Sequence, residues 1–492
     1  MDTIAVDKSG LKWLYGIFLF FAVCISAAIA KEFFLIFMLA PLMVVVVVGI
    51  YRLDLIMLLA VIVTPLSINL AKTSLGIGVS LPSEPLIFGV MVLVIIKYLY
   101  EQGEIKKILV HPVSLAIIFH LAWHIVTTVT SSMPLVSFKS TLARFCFVVV
   151  FFYMGVLMFR KINNIRVFVW CYIIPLLAVI MYTTYMHALA GFTEKAAHTS
   201  MVPFYNDHTA YAAVIAMFIP ILFGFTADTS AKTSYRIISL LVLLVFITAI
   251  VLSYTRASWI SLVAALFCYL VFLFRVKTFL VIGGIITAVV VFFIFQTSIM
   301  MNLEQNDKES STDYASHVQS MSNISTDASN VERINRWSSA YRMFEARPLF
   351  GWGPGTYMFQ YAPFQKWSER TIISTNFGEG GNAHSEYIGP LAEQGIMGPI
   401  AFIIIVAVVI FRASRLIIFS NDKTVRLLAK GLVLGLITYW VHGMLNNFLD
   451  TEKAAVPFWG FIGALVALEL YHSEKFPATL VKNFLFPVKP KA

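Results

Sequence analysis

His384 is the residue of this sequence best placed to act as a general base. It lies in GNAHSEYIGPLAEQG, residues 381–395, inside the polar stretch 297–396. A short helix is predicted over 385–394, beginning just after His384 and closed by Gly395. The positive end of a helix dipole disfavours added positive charge, so the imidazole is expected to be neutral and able to accept a proton near pH 7. The alternative is a loop histidine that only caps the helix or binds a carbonyl group.

Arginines supply the second kind of chemistry, because a planar guanidinium donates paired hydrogen bonds to phosphate oxygens. Arg256, in SYTRASW, falls at the end of an apolar run, where an ionisable group is costly and usually has a partner. Arg333 and Arg336 lie one turn apart on a predicted helix, so both could face an anion. Arg144 and His208, the latter in FYNDHTAY, are further candidates on the same expected side. The alternatives are a snorkelling Arg256, a solvated helix face for the arginine pair, and a helix-capping Asn-Asp-His cluster around His208.

The polar stretch also predicts the elements that would hold these groups. From about 329 onward, apolar side chains recur every three or four residues and form one face of a helix, namely Val331, Ile334, Trp337, Tyr341 and Phe344. Such a helix would lie on a membrane surface or cap a helix bundle. The GWGPG run at 351–355 has the composition of a turn.

Several other kinds of chemistry lack a signature in this sequence. We find no Asp-x-Asp pair on the expected outer side to hold a metal and a nucleotide, no Walker loop and no serine nucleophile elbow. GWGPG contains proline and follows a helix, so it is not a dinucleotide fingerprint. We therefore expect no metal and no cofactor. The remaining candidates are arginines and a histidine at the membrane boundary, which would fit a substrate that carries its own phosphate leaving group and a lipid tail.

The composition predicts an all-α polytopic membrane protein. The chain is 59% hydrophobic and 13% charged, whereas soluble domains have about half apolar and a quarter charged residues. About fourteen apolar runs approach the ~20 residues of a spanning helix. We predict eleven of them in 1–296, one large loop with short helices at 297–396, three more in 397–475, and a tail at 476–492.

Basic residues predict the orientation of these helices. The net charge of +10 does not indicate nucleic acid, because the basic residues are concentrated in alternate connections, as at Arg160, Lys161 and Arg166. By the positive-inside rule, these connections and both termini are cytoplasmic. The long loop then lies outside, on the periplasmic or extracellular face, which predicts a multi-pass membrane protein with its candidate site on the outer side.

Four segments resemble the O-antigen ligase and polymerase superfamily of bacterial envelope enzymes. They are SYTRASW at 253–259, the stretch from RINRW to GWGPGTY at 333–357, NAHSEYIGPLAEQGIMG at 382–398 and, more loosely, FYNDHTAYAA at 204–213. Their order and spacing extend the likeness over roughly residues 200–450. Ser385 is a departure, since the family often has asparagine there.

The resemblance implies a membrane-embedded glycosyltransferase that is inverting and metal-independent. It also implies a location in the bacterial inner membrane, with the active site on the periplasmic face. Its donor would be a glycan on undecaprenyl diphosphate, and its acceptor the lipid A core of lipopolysaccharide or a second glycan. His384 would activate the acceptor hydroxyl, and Arg256 with Arg333 or Arg336 would hold the diphosphate. Arg144 and His208 would assist in binding it. A ligase is the leading expectation, with a polymerase or a protein O-oligosaccharyltransferase as alternatives that share the fold and site.

A lipid or polysaccharide transporter is the alternative from a different class. A transporter is expected to carry ionisable residues near mid-membrane and often shows repeat symmetry. No internal repeat is visible here, and Arg144 and Arg256 are both predicted at one outer edge. The sequence therefore favours an enzyme.

Overall fold

Long apolar helices dominate the part of the chain that the computed structural model describes, residues 47–49, 51–70, 78–100, 105–274, 328–367 and 381–473. Within those residues, nine helices are long and apolar enough to cross a membrane. This confirms the prediction of an all-α polytopic membrane protein. The predicted runs at 11–30 and 278–296, nearly all of the run at 33–50, and the tail at 476–492 lie outside the described residues. The total of about fourteen spans therefore stays a prediction.

The helices of the described residues are, in chain order, α1 Leu53–Val63, α2 Ser83–Tyr100, α3 Ile105–Leu109, α4 Pro112–Val129, α5 Pro134–Met158, α6 Ile162–Leu189, α7 Glu194–Ala197, α8 His208–Ala227, α9 Thr233–Leu252 and α10 Arg256–Leu273. They continue with α11 Ala328–Ala346, α12 Tyr357–Gln360, α13 Ile388–Gln394, α14 Met397–Phe419, α15 Lys423–His442 and α16 Glu452–Tyr471. Of these, α3, α7, α12 and α13 are short connecting helices. A two-stranded antiparallel sheet, which was not predicted, pairs Ile68–Leu70 with Val79–Leu81.

Helix α5 begins earlier than its hydropathy indicates. The apolar run suggests a start at 141, whereas the helix begins at Pro134, whose missing N–H suits the first turn of a helix. Arg144 therefore lies about 15 Å along the axis from Pro134, at 1.5 Å per residue, and not near the start of the helix. The same helix contains a buried π-helical segment, Val148–Met154.

Helix α15 runs through the middle of the bundle, against α8, α10, α14 and α16. Two glycines one turn apart let α8 approach it closely. A Cβ on Gly431 would lie 2.9 Å from Ile221 Cα, and a Cβ on Gly435 would lie 2.3 Å from the Met217 carbonyl oxygen. Small residues spaced four apart commonly allow such close packing of membrane helices.

The described parts of the polar stretch, residues 328–367 and 381–396, pack onto the bundle and share a small core of their own, which includes Met343 and Tyr357. The Trp352 carbonyl accepts a hydrogen bond from Ser132 N (3.0 Å), in the turn between α4 and α5. Gly353 N donates to the Glu393 carbonyl (2.7 Å). The GWGPG turn is thereby held between the membrane helices and α13.

The predicted loop helix is present as α11, but its buried face differs from the predicted apolar stripe. Ile334 and Tyr341 are 40% and 54% exposed. The buried face is largely polar and consists of Glu332, Asn335, Arg336, Ser339, Ala340 and Met343. Its partners come from distant parts of the chain, which a local periodicity cannot reveal.

Candidate active site at one end of the helix bundle

His384 lies in a tight turn ahead of α13. Its φ of +47° is in the left-handed region, where a residue other than glycine costs about 1–3 kcal/mol and is often found at a functional site. Its N–H donates to Asn382 Oδ1 (3.0 Å). The predicted helix at 385–394 starts later, at Ile388, because Ser385 Oγ accepts hydrogen bonds from Tyr387 N and Ile388 N, both at 3.2 Å. Gly395 closes the helix as predicted, with φ +66°.

Glu386 anchors this turn to the membrane helices. Its N–H donates to the Gly443 carbonyl (2.8 Å), just beyond the end of α15. Its buried carboxylate accepts hydrogen bonds from Tyr439 Oη (2.7 Å), Phe448 N (2.8 Å) and Leu449 N (2.9 Å). Burial raises the pKa of Glu386. The sequence analysis did not single out this residue, although an acidic side chain two positions after the candidate base was the available signal.

The imidazole of His384 is neutral at pH 7, as predicted, but for a different reason. Burial is the largest cause and lowers its pKa to about 4, with further lowering by the positive charges of Arg333 and Arg336. Asp207 and Glu332 act in the opposite direction. The predicted helix-dipole effect is not the cause, because α13 begins four residues later and the dipole acts within about one turn.

Arg336 is buried and holds the histidine turn in place. Its Nε donates to Glu332 Oε1 (2.7 Å) and its Nη1 to the Asn382 carbonyl (3.3 Å). Its guanidinium carbon also lies 5.0 Å from the centre of the Tyr361 ring. Gly381 makes room for it, since a Cβ there would fall 1.6 Å from Nη1. Arg333 and Arg336, which were both expected to face an anion, differ in exposure: Arg336 lies in the interior and Arg333 is half-buried.

Three helix ends meet beside this turn. Arg256 is the first residue of α10, and the preceding Thr255 donates from its hydroxyl to the His208 carbonyl (3.5 Å) at the start of α8. Ser258 Oγ lies 3.3 Å from Nδ1 of His442, the last residue of α15. Because Asp207, next to His208, acts electrostatically on His384, Arg256 and His384 lie at the same end of the bundle.

His208 belongs to the helix-capping cluster that the sequence left open as an alternative. Asp207 Oδ1 accepts a hydrogen bond from Thr209 N (2.8 Å), and its Oδ2 accepts one from Thr209 Oγ1 (2.7 Å). His208 Nδ1 lies 3.3 Å from Asp207 Oδ1. Burial raises the pKa of Asp207, but the hydrogen bonds from His208 and Thr209 more than offset this, so the net shift is downward. The His198 ring, which the sequence analysis missed, stacks on His208 with centroids 4.2 Å apart.

Arg144 lies apart from this group. Its Nη2 is paired with Asp450 Oδ1 at 2.7 Å, and it lines a cavity whose wall includes Ala383 and Ser385, the two neighbours of His384. Five of the six predicted site residues therefore lie at one end of the bundle, namely His384, Arg333, Arg336, His208 and Arg256. The sixth, Arg144, lies in the wall of the cavity that Ala383 and Ser385 also line.

Comparison with known proteins agrees with the geometry. A family model described as O-Antigen ligase matches residues 240–403. The matched segment contains Arg256, Arg333, Arg336 and His384, whereas Arg144 and His208 precede it. No curated protein matches the chain. Residues 240–403 are thus similar to the O-antigen ligase family, and this match supports the resemblance to the O-antigen ligase and polymerase superfamily.

Proposed function

We propose that this protein transfers a glycan from an undecaprenyl-diphosphate carrier to an acceptor hydroxyl, at the periplasmic end of the helix bundle. The observation that carries the proposal is a half-buried, neutral imidazole, His384, which lies within electrostatic reach of Arg333 and at the same end of the bundle as Arg256. The match of residues 240–403 to the O-antigen ligase family supports ligase or polymerase chemistry in general.

The reaction is a single displacement at the anomeric carbon. The acceptor oxygen attacks that carbon, the carbon–oxygen bond to the diphosphate breaks, and its electron pair leaves with the lipid diphosphate. The acceptor proton passes to the imidazole of His384. Attack opposite the leaving group inverts the anomeric configuration.

Arg256 and Arg333 would bind the diphosphate and stabilise the negative charge that grows on it. In enzymes where such a donor has been removed, the loss is about 2.7–4 kcal/mol. Arg336 has a different part, since its guanidinium is committed to Glu332 and to the Asn382 carbonyl. It positions the His384 turn rather than the substrate.

The donor itself would strengthen the base. A pKa of about 4 makes His384 a weak proton acceptor in the free protein. A bound diphosphate brings negative charge that offsets the nearby arginines, and a nearby opposite charge favours the protonated imidazole. The pKa of His384 would then rise towards neutrality when the donor is present.

The preferred acceptor is the lipid A core, which makes the protein a ligase. A polymerase and a protein O-oligosaccharyltransferase are the alternatives with the same donor chemistry. Purified protein would be given one defined lipid-linked donor with lipid A core, with donor alone, or with an acceptor protein. Product on the core supports a ligase, lengthened lipid-linked chains a polymerase, and a glycosylated protein the third activity.

The test of the base is His384→Ala. Removal of a general base should lower the transfer rate by about 10²–10⁴-fold while donor binding is retained. The matched control is His472→Ala, since His472 follows the C-terminal end of α16 and lies 3.0 Å from the Phe159 carbonyl. It should transfer at the wild-type rate.

Full activity in His384→Ala would show that His384 is not the general base of the transfer reaction. Movement of labelled lipid-linked glycan across a vesicle membrane by the wild type, without any transfer to an acceptor, would instead favour the transporter.

A further inference from the structure

A second polar centre lies next to the candidate active site, in a cavity of about 100 Å³ between the folded loop and three membrane helices, α4, α5 and α14. Helix α4 supplies His120 and His124 to its wall, and α5 supplies Arg144. The loop supplies Gln394, at the end of α13, and the connection after α15 supplies Asn447. The proposed transfer reaction uses none of these side chains.

Several polar atoms in this wall have no hydrogen-bond partner among the described residues. They are both ring nitrogens of His120, Nδ1 of His124, Oε1 of Gln394 and Oδ1 of Asn447. His120, His124 and Gln394 are each at most 3% exposed. A buried polar atom left without a partner costs about 1–3 kcal/mol, so such atoms are rare in folded proteins and require an explanation. Their concentration around one cavity indicates a binding site for a polar ligand.

The arginine and carboxyl groups in the wall already have ion-pair or hydrogen-bond partners, which favours an uncharged ligand. Arg144 is paired with Asp450, and the Glu386 carboxylate accepts three hydrogen bonds. Burial raises the pKa of Glu393 to about 8, and this carboxyl accepts a hydrogen bond from Tyr357 N (3.0 Å). An anion would meet carboxyl groups and a cation would meet a guanidinium. Hydroxyl groups both donate and accept, which suits imidazole nitrogens and amide oxygens.

Size and access agree with a sugar ring. A single water needs about 10–15 Å³ of such space, so the cavity has room for several waters or for one ring with its hydroxyls. It reaches the surface at Met358, which is 36% exposed, and at Asp450, whose side chain is 56% exposed. Ala383 and Ser385 line the cavity, so a sugar ring bound there would lie against the two residues that flank His384 in the chain.

We propose that this cavity is a subsite for one uncharged monosaccharide ring of a reacting glycan, with His120, His124, Gln394 and Asn447 binding its hydroxyl groups. The inference rests on the proposed function for the identity of the ligand. The ring belongs either to the donor or to the acceptor, and kinetics separate these two sources.

The test uses two variants, Gln394→Leu and Asn447→Leu, which remove side-chain hydrogen-bond acceptors of the cavity without adding charge. Asn447 is only half-buried, so its variant should fold even if the replacement of Gln394 is not tolerated. The control is Ser114→Ala, because Ser114 Oγ is also buried without a partner and is on the same helix, but away from the cavity. Binding is measured on the full chain in detergent by saturation-transfer NMR with a panel of neutral hexoses and N-acetylhexosamines.

Each variant should weaken monosaccharide binding about three- to tenfold, the worth of one neutral hydrogen bond, while the control binds as the wild type does. In transfer assays KM should rise for one substrate only. A raised acceptor KM assigns the ring to the acceptor, and a raised donor KM assigns it to the donor. Unchanged binding and unchanged KM values in both variants would overturn the subsite and leave the proposed function intact. Monosaccharide binding by a wild type that transfers no glycan would instead overturn the proposed function.

Discussion

His384 owes its neutral state to burial and to Arg333 and Arg336, and this dependence has kinetic consequences. The base must be unprotonated to accept a proton, so activity is present above its pKa and is lost as pH falls through it. In the free protein that pKa is about 4. With donor bound it should be higher, because the diphosphate offsets the arginine charges.

We therefore expect kcat/KM, which reports the free enzyme, to fall only as pH approaches about 4. The acid limb of kcat, which reports the donor complex, should lie at a higher pH. Arg333→Gln should move the limb of kcat/KM upward, because it removes a charge that lowers the pKa of His384. Arg347→Gln serves as the control, since Arg347 follows the same helix and lies 4.2 Å from the Trp352 ring. A limb of kcat/KM near 6.5 in the wild type would contradict this account.

At the residue scale, the sequence predicts which groups can do chemistry better than it predicts what sets their properties. The segment around His384 was enough to propose a neutral base. Its burial depends on Glu386 binding the backbone of 448–449, some sixty residues away. The positioning role of Arg336 also depends on contacts that the local sequence does not show. Its partners, Glu332, Asn382 and Tyr361, come together only in the folded loop.

The element that fixes the loop to the membrane helices is the GWGPG turn. Gly353 has a φ of +112°, and a Cβ there would lie 2.0 Å from Ser131 Oγ and 2.5 Å from Ser137 Oγ. The sequence predicted a turn here, because glycine and proline favour one. It could not predict what the turn contacts, since the two serines lie more than two hundred positions earlier in the chain.

Gly353→Ala should loosen the loop and lower the transfer rate. The control is Gly191→Ala, which has a φ of +72° but nothing within 4 Å of the added Cβ. The control therefore isolates the backbone cost of about 1–2 kcal/mol. Both variants should melt at a lower temperature than the wild type, but only Gly353→Ala should also expose the loop to limited proteolysis. Equal proteolysis of the two variants would show that contact with the serines does not hold the loop.

At the scale of the whole molecule, the site exists because three membrane helices have ends at one level of the bundle. Helices α8 and α10 begin there and α15 ends there. Hydropathy and the order of the apolar runs placed these three ends on one side, and the contacts of Thr255 with His208 and of Ser258 with His442 agree with that. The side of the membrane stays a prediction. The close approach of α8 and α15 was not predicted. Gly431 and Gly435 are compatible with any apolar helix, and only the position of the neighbouring backbone explains them.

Gly435→Ala tests whether this approach positions the site. The added Cβ would meet the Met217 carbonyl oxygen at 2.3 Å and the Phe461 ring at 3.1 Å. A backbone carbonyl cannot relieve such a contact by a change of rotamer as a flexible side chain can. Helix α8 must therefore shift, at a cost of about 1–3 kcal/mol. Because Asp207 and His208 are at the start of α8, the shift should lower both the melting temperature and the transfer rate.

The matched control is Gly89→Ala, in the middle of α2, where the added Cβ has nothing within 4 Å. Alanine favours a helix over glycine by about 0.5–1 kcal/mol, so this variant should be as stable as the wild type or more so, with unchanged transfer. A Gly435→Ala protein that melts and transfers as Gly89→Ala does would mean that the separation of α8 and α15 tolerates a methyl group. The position of the site would then depend on the Glu386 anchor and the GWGPG turn rather than on this helix contact.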